Sequence, residues 1–268
     1  MINITFSTCW YIVKSKFDAD VYRQWFSNFL GNVHNFYLVV YTNKESYKII
    51  KKYKKNPNIK IILVEFEEFY NYKYKDHFIK NHNNTVLKNM IDWKLNMLWS
   101  EKISFVKKTI DNKYFDTPYY GWCDIGYFRG RPIDINTELI KTWPNKDKIS
   151  QLDKEKIHYA IINNNQDYMN FIFTLLRNRL SNGLPIQQLP QNQLSVAGGF
   201  FIISSSKIDW WFKTYDDTLS LYLHNNYVVK DDQMLIIDCI SRNISNFELY
   251  VEDNEKYDNW FMFQRILI

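Results

Sequence analysis

Glycine is scarce in this chain: 7 of 268 residues, where average usage of about 7% would give about 19. A phosphate cradle needs several glycines close together, because backbone must approach the phosphates with no Cβ in the way. The seven stand at positions 31, 121, 126, 130, 183, 198 and 199, so no GxGxxG exists. The one GxxxxG pair, Gly121 and Gly126, runs into Tyr127-Phe128 rather than Lys-Ser/Thr. A P-loop NTPase and a standard dinucleotide fingerprint are both excluded on this pattern.

Other absences narrow the field further. Cys9, Cys123 and Cys239 are odd in number, far apart and without CxxC spacing, which reads as buried free thiols and gives neither a zinc site nor a disulfide framework. The five histidines, at 34, 77, 82, 158 and 224, show no HxxxH or HExxH spacing, so a zinc hydrolase is disfavoured. No GxSxG occurs, and with it goes the α/β-hydrolase nucleophile elbow. No basic leader is followed by a long apolar run, and no stretch approaches the roughly 18 apolar residues of a membrane span. The expectation is a soluble, cytoplasmic protein with no transmembrane segment.

What is present is a large potential core. The apolar fraction is 46%, with 9 Trp, 20 Tyr and 19 Phe, against 24% charged residues. This composition excludes intrinsic disorder and supports one domain over residues 1–268. The net charge of +5 comes from lysines interleaved with acids on helix-like stretches; so modest an excess does not indicate a nucleic-acid partner, although it would serve a phosphorylated ligand.

Along the chain, an apolar run at 2–6, a helical stretch at 17–30 stopped by Gly31, a β-rich run at 36–41, a helix over 44–55 and a strand at 59–64 alternate as β, α, β, α, β. That order predicts a parallel sheet with crossover helices. A long helix over 85–110 leads into a strand, 119–123, that ends at Asp124. Further on, strands are expected at 159–162 and 196–204, the latter interrupted by Gly198-Gly199, and helices at 166–180, 208–223 and 232–240. The polar segment 182–193, with Pro185 and Pro190, is long enough to cover a site.

Ligands in open α/β sheets collect outside the carboxyl ends of the strands, which makes Trp122-Cys123-Asp124-Ile125-Gly126-Tyr127-Phe128-Arg129 the strongest constellation. An acid there suits a divalent cation bridging two phosphates, though Asp before a glycine is also a common turn pair. Gly198-Gly199 inside an apolar run implies either close approach to the backbone or a β-bulge. Asp231-Asp232 at the head of a helix could grip hydroxyls or take a proton, or could simply cap the helix. Lys102, on the helix before the Asp124 strand, could bind phosphate as a point charge.

Together with Phe6-Ser7-Thr8-Cys9-Trp10-Tyr11, Tyr41-Thr42-Asn43, Trp99-Ser100-Glu101-Lys102 and Ala197-Gly198-Gly199-Phe200-Phe201, these motifs resemble the HtrL/YibB-like (WlaTC/HtrL) family, whose members look like GT-A type glycosyltransferases. The resemblance follows nearly the whole chain in order. It implies a GT-A-like α/β domain with a mainly parallel, Rossmann-like mixed central sheet flanked by helices, with a nucleotide-binding half over 1–125 and an acceptor-binding half over 126–268. It implies transfer of a sugar from a nucleoside diphosphate sugar, a UDP-sugar first, to a glycan or other hydroxyl acceptor. Thr8, Thr42, Asn43, Lys102, Asp124, Gly126, Arg129, Gly198 and Gly199 would bind the nucleotide-sugar. Asp232, with Asp231, would face the reaction, and Asp124 would hold a Mn²⁺ or Mg²⁺ ion.

One departure stands out. Gly126 occupies the place of the second acid of the family's Asp-x-Asp motif, which favours Lys102 and Arg129 as replacement charge and keeps a catalytically inactive nucleotide-sugar or glycan-binding module as the alternative. The last histidine, His224, also falls well short of the C-terminal position that often completes such sites. The abundance of Asn, Lys, Ile and Tyr points to an AT-rich genome, such as that of a large DNA virus, and in that case to the host cytoplasm.

Overall fold

A computed structural model describes residues 2–268. Seven strands form one sheet: β1 (Ile4–Trp10), β2 (Tyr37–Thr42), β3 (Ile59–Leu63), β4 (Tyr119–Cys123), β5 (Ile157–Ala160), β6 (Phe200–Ser204) and β7 (Phe247–Tyr250). Their order is β3-β2-β1-β4-β6-β5-β7. β3, β2, β1 and β4 run parallel, β6 lies antiparallel between β4 and β5, and β7 pairs parallel with β5. The expected mainly parallel mixed α/β sheet is therefore present, with the reversal falling at β6.

Alternation along the central strands builds a core on each face of the sheet. Phe6 of β1, Leu38 and Val40 of β2, and Phe200 and Ile202 of β6 face one layer. It is covered by α1 (Ala19–Leu30) through Phe26 and Phe29 and by the C-terminal Phe261-Met262-Phe263. Val39 and Tyr41, Trp122 of β4, and Phe201 and Ile203 face the other layer. Helices α2 (Lys44–Ile50) and α3 (Lys75–His82) lie in the crossover region, and α4 (Trp93–Ser100) and α5 (Lys102–Asp111) precede β4. After the short α6 (Thr137–Ile140) and α7 (Lys146–Ser150) come α8 (Gln166–Arg177), α9 (Ile208–His224) and α10 (Asp232–Arg242). Leu95, Val106, Leu176, Trp211 and Leu235 bring α4, α5, α8, α9 and α10 onto the second layer.

The expected long helix over 85–110 is two helices. Residues 85–92 form turns, Asp92 caps α4 by accepting from Lys94 N at 2.8 Å, and the chain breaks again at Glu101. Glu101 is buried and accepts from the backbone N–H groups of Tyr70 (2.8 Å) and Asn71 (3.0 Å) and from Ser104 Oγ (2.8 Å), so the carboxylate ties the break to the preceding loop. The predicted strand 196–204 is shorter than expected: Gly198-Gly199 makes a turn, and β6 starts at Phe200. Among the described residues, no helix is long and apolar enough to cross a membrane.

Candidate active site

A cleft of about 540 Å³ opens at the carboxyl ends of β1 and β4 and the head of α10. That volume lies in the range of small-molecule sites, about 300–1,000 Å³. Its aromatic wall includes Trp10, Phe17, Tyr22, Trp25, Trp260 and Phe261; its charged residues are Lys16, Lys102, Asp124, Arg129, Lys230, Asp231, Asp232 and Asp258.

At its base Lys102 joins three parts of the chain. Its position at the start of α5 directs the side chain toward the sheet. The ammonium, only 6% exposed, donates to Gly198 O at 2.8 Å and lies 2.9 Å from Asp232 Oδ2 and 3.2 Å from Asp124 Oδ1. Only the Gly198 contact is an aligned hydrogen bond; the two carboxylate contacts are ion pairs. The approach to Asp232 Oδ2 is an ion pair without an aligned hydrogen bond, so that oxygen keeps an unspent lone pair.

Asp124 is held by Trp122 Nε1, which donates to Oδ1 at 2.6 Å, while the Asp124 N–H donates to Gly199 O at 2.8 Å. Its side chain therefore serves the cleft rather than capping a turn. Neither Asp231 nor Asp232 acts as a helix cap through a side-chain bond: Asp231 pairs with Lys230 at 3.0 Å, and its Oδ1 has no partner. Burial is the main cause that lifts the Asp232 carboxyl to about 7, with Asp231 and Asp124 adding to it and the Lys102 ammonium working against it. Burial likewise raises the Cys9 and Cys123 thiols, which keeps them neutral.

The two glycines are explained by these acids. A Cβ on Gly198 would stand 2.7 Å from Asp232 Oδ1, and one on Gly199 would stand 3.1 Å from Asp124 Oδ2. The close approach expected at this pair is thus made by the chain's own carboxylates. Gly126 has a different neighbour: a Cβ there would lie 2.7 Å from the Trp25 ring, so any side chain at 126 would meet an indole.

The residues of this chain do not fit a protein-held divalent cation. An ammonium already sits between Asp124 and Asp232, no carboxylate can stand at 126 without moving Trp25, and Asp258 is taken by Arg131 at 2.9 Å. Among the described residues, no group of three His, Cys, Asp or Glu side chains is arranged to share a metal ion. A metal on Asp124, as the resemblance implies, would have to enter beside the fixed Lys102 ammonium.

The cleft brings together Lys102, Asp124, Gly126, Arg129, Gly198, Gly199, Asp231 and Asp232. It does not include Thr8, Thr42 or Asn43. Thr8 is fully buried on β1, Thr42 Oγ1 donates to Trp10 O at 2.6 Å, and Asn43 caps α2 by accepting from Ser46 N at 2.9 Å. Cys9, Trp10 and Tyr11 line the cleft from the same strand end instead. Sequence reasoning missed Lys16, Trp25, Lys230 and Trp260. The α1 aromatic stripe reads as core at helical spacing, and the lysines carry no motif.

No protein-family model matches the chain, and no curated protein matches it in sequence. Among solved structures, it is similar to the apo form of mouse xyloside xylosyltransferase 1, at 10% identity over 94% of this chain and 86% of that one, with a TM-score of 0.47. It is also similar to galactosyltransferase LgtC in complex with donor and acceptor sugar analogues, at 11% identity over 87% of this chain and 69% of that one, with a TM-score of 0.43.

Proposed function

We propose that the protein is a GT-A-like glycosyltransferase that moves a sugar from a nucleoside diphosphate sugar, a UDP-sugar first, to a glycan or other hydroxyl acceptor. The observation that carries this reading is Asp232: a buried carboxylate with an oxygen that accepts no aligned hydrogen bond, lining a cleft together with four cations and the acids Asp124, Asp231 and Asp258. The aromatic wall suits the faces of a base and a sugar. Residues 1–125 would serve mainly the nucleotide and 126–268 mainly the acceptor.

In the reaction, the acceptor oxygen forms its bond to the anomeric carbon as the bond from that carbon to the β-phosphate oxygen breaks. The nucleoside diphosphate leaves with the electron pair, and Asp232 takes the hydroxyl proton. A carboxyl held near 7 is suited to this, because a substantial fraction is ionised at neutral pH and that form is basic enough to receive the proton. Asp124, fixed by Trp122 and Lys102, would orient the donor's hydroxyls.

The test is a screen of nucleotide-sugars by thermal shift, followed by assay of nucleoside diphosphate release with hydroxyl acceptors. Asp232→Asn should keep donor binding and lose transfer. Absence of stabilisation by every nucleotide and nucleotide-sugar overturns the reading; donor binding with no transfer in the wild type leaves only the binding module.

A further inference from the structure

We infer that the cleft holds the donor's diphosphate without a metal ion, on the Arg129 guanidinium and the Lys16 ammonium, while Lys102 serves as the fixed cation of the carboxylate pair. This rests on the nucleotide-sugar reading of the same cleft.

Four cations line the cleft, and they divide into two kinds. Lys102 is spent on Asp124, Asp232 and Gly198 O, and Lys230 is paired with Asp231. Arg129 and Lys16 have no carboxylate within ion-pair distance among the described residues. The contrast with Arg131 is instructive: two positions along, it binds both Asp134 and Asp258.

Arg129 is also held in place. Its guanidinium carbon lies 4.5 Å from the Trp25 ring centroid, 4.9 Å from Phe261 and 5.3 Å from Phe17. Its Nε donates to Gly126 O at 3.1 Å, which leaves its Nη donors without a protein acceptor. A planar guanidinium fixed by aromatic rings, with its outer donors unspent, is prepared for bidentate binding of phosphate oxygens. Gly126 contributes doubly, since its carbonyl anchors Arg129 and its missing side chain admits the Trp25 ring on which the guanidinium stacks. Lys16, over the Trp99 ring at 5.6 Å, supplies a second charge at the mouth. Partial burial and the neighbouring Arg131 depress the proton affinity of Arg129, the penalty that a bound dianion would relieve.

The place that Gly126 denies to a metal-binding acid is thus used to seat an arginine. The diphosphate meets its countercharge there, and the Asp124–Lys102–Asp232 group remains intact on ligand binding.

The experiment is calorimetric titration of the full chain with inorganic pyrophosphate and with UDP, in EDTA and in excess Mn²⁺. Both ligands are expected to bind in EDTA, with Mn²⁺ changing Kd by less than about threefold. Arg129→Gln should weaken pyrophosphate by about tenfold or more, the equivalent of one charge-assisted hydrogen bond, and Arg129→Lys should recover part of it. Lys16→Gln, at an exposed position that leaves the aromatic wall in place, should weaken it by about threefold. Binding that appears only with Mn²⁺ overturns the inference and leaves the transferase reading standing. So does unchanged pyrophosphate affinity in folded Arg129→Gln or, if that variant does not fold, in Lys16→Gln. Pyrophosphate binding in EDTA without any sugar transfer upholds the anion site and overturns the transferase.

Discussion

The Asp232 carboxylate rests against the Cα of Gly198, so closely that a β-carbon there would come within 2.7 Å of Oδ1. Asp232 is buried and paired with Lys102, so a retreat from that β-carbon would strain the ion pair. Gly198→Ala is therefore expected to destabilise the fold by about 1–3 kcal/mol, the usual cost of an overpacked methyl, and to abolish transfer. Gly199→Ala meets only the half-exposed Asp124 at 3.1 Å and should cost less than half as much. Urea denaturation of the two variants checks the order; equal losses would count against a rigid Asp232.

Acidity should move stability and rate in opposite directions. Asp232 binds its proton more tightly when folded, at about 7, than its ordinary 3.8. Glu101, also buried, rises from 4.5 to about 7. Between about pH 4 and 7 the folded chain thus holds more protons than the unfolded one. The stability from these two groups is full below their ordinary values and is lost as pH climbs through 7. The groups facing Asp232 are Lys102, Asp231 and Asp124, with Tyr159 and Tyr215 from β5 and α9. With Asp232 as the base of the proposed transfer, kcat should rise about tenfold per unit up to about pH 7 and then level off. Melting temperature and kcat measured across pH 5–9 check both slopes.

How much of this could be read from the residues depended on range. The alternation of β1, β2 and β3 with helices was legible because apolar runs and Gly/Pro punctuation are local. The four-residue β7, with Glu248 in its middle and an edge position beside β5, carried no such signal. Asp124, Lys102 and Gly198-Gly199 were recognisable as unusual, but their common purpose was not. The acceptors of Lys102 lie 22, 96 and 130 residues away, and only the fold brings them together. Thr8 falls short of the cleft by depth: it shares a face of β1 with Phe6 and Trp10, but it is fully buried, and only the strand's end at Cys9 and Trp10 reaches the opening. Trp25 is the instructive omission, since nothing in an aromatic helical stripe distinguishes the ring that lies against Gly126 in the cleft from the rings that fill the core.

Removing Lys102 should expose how the acids are held. Lys102→Met leaves Asp232 buried without its cation, and breaking such a pair costs about 3–5 kcal/mol. The loss should be larger at pH 8, where the wild-type Asp232 is ionised beside Lys102, than at pH 5, where it is neutral. Chemical denaturation at the two values measures it. A pH-independent loss would mean that Lys102 contributes packing rather than charge.

Restoring the missing acid should fail. Gly126→Asp places a β-carbon 2.7 Å from the Trp25 ring, on which Arg129 stacks. The indole must then move, and the guanidinium loses its support. The expected result is a lower melting temperature, weaker nucleotide binding, and no stimulation of transfer by Mn²⁺. Adding Trp25→Ala makes room for the carboxylate but leaves Lys102 between Asp124 and Asp232, so the double variant should regain part of the stability and still show no Mn²⁺ dependence. Mn²⁺-stimulated transfer in either variant would mean that the Lys102 ammonium can be displaced from the acids, and that the chain has kept a metal site in all but one residue.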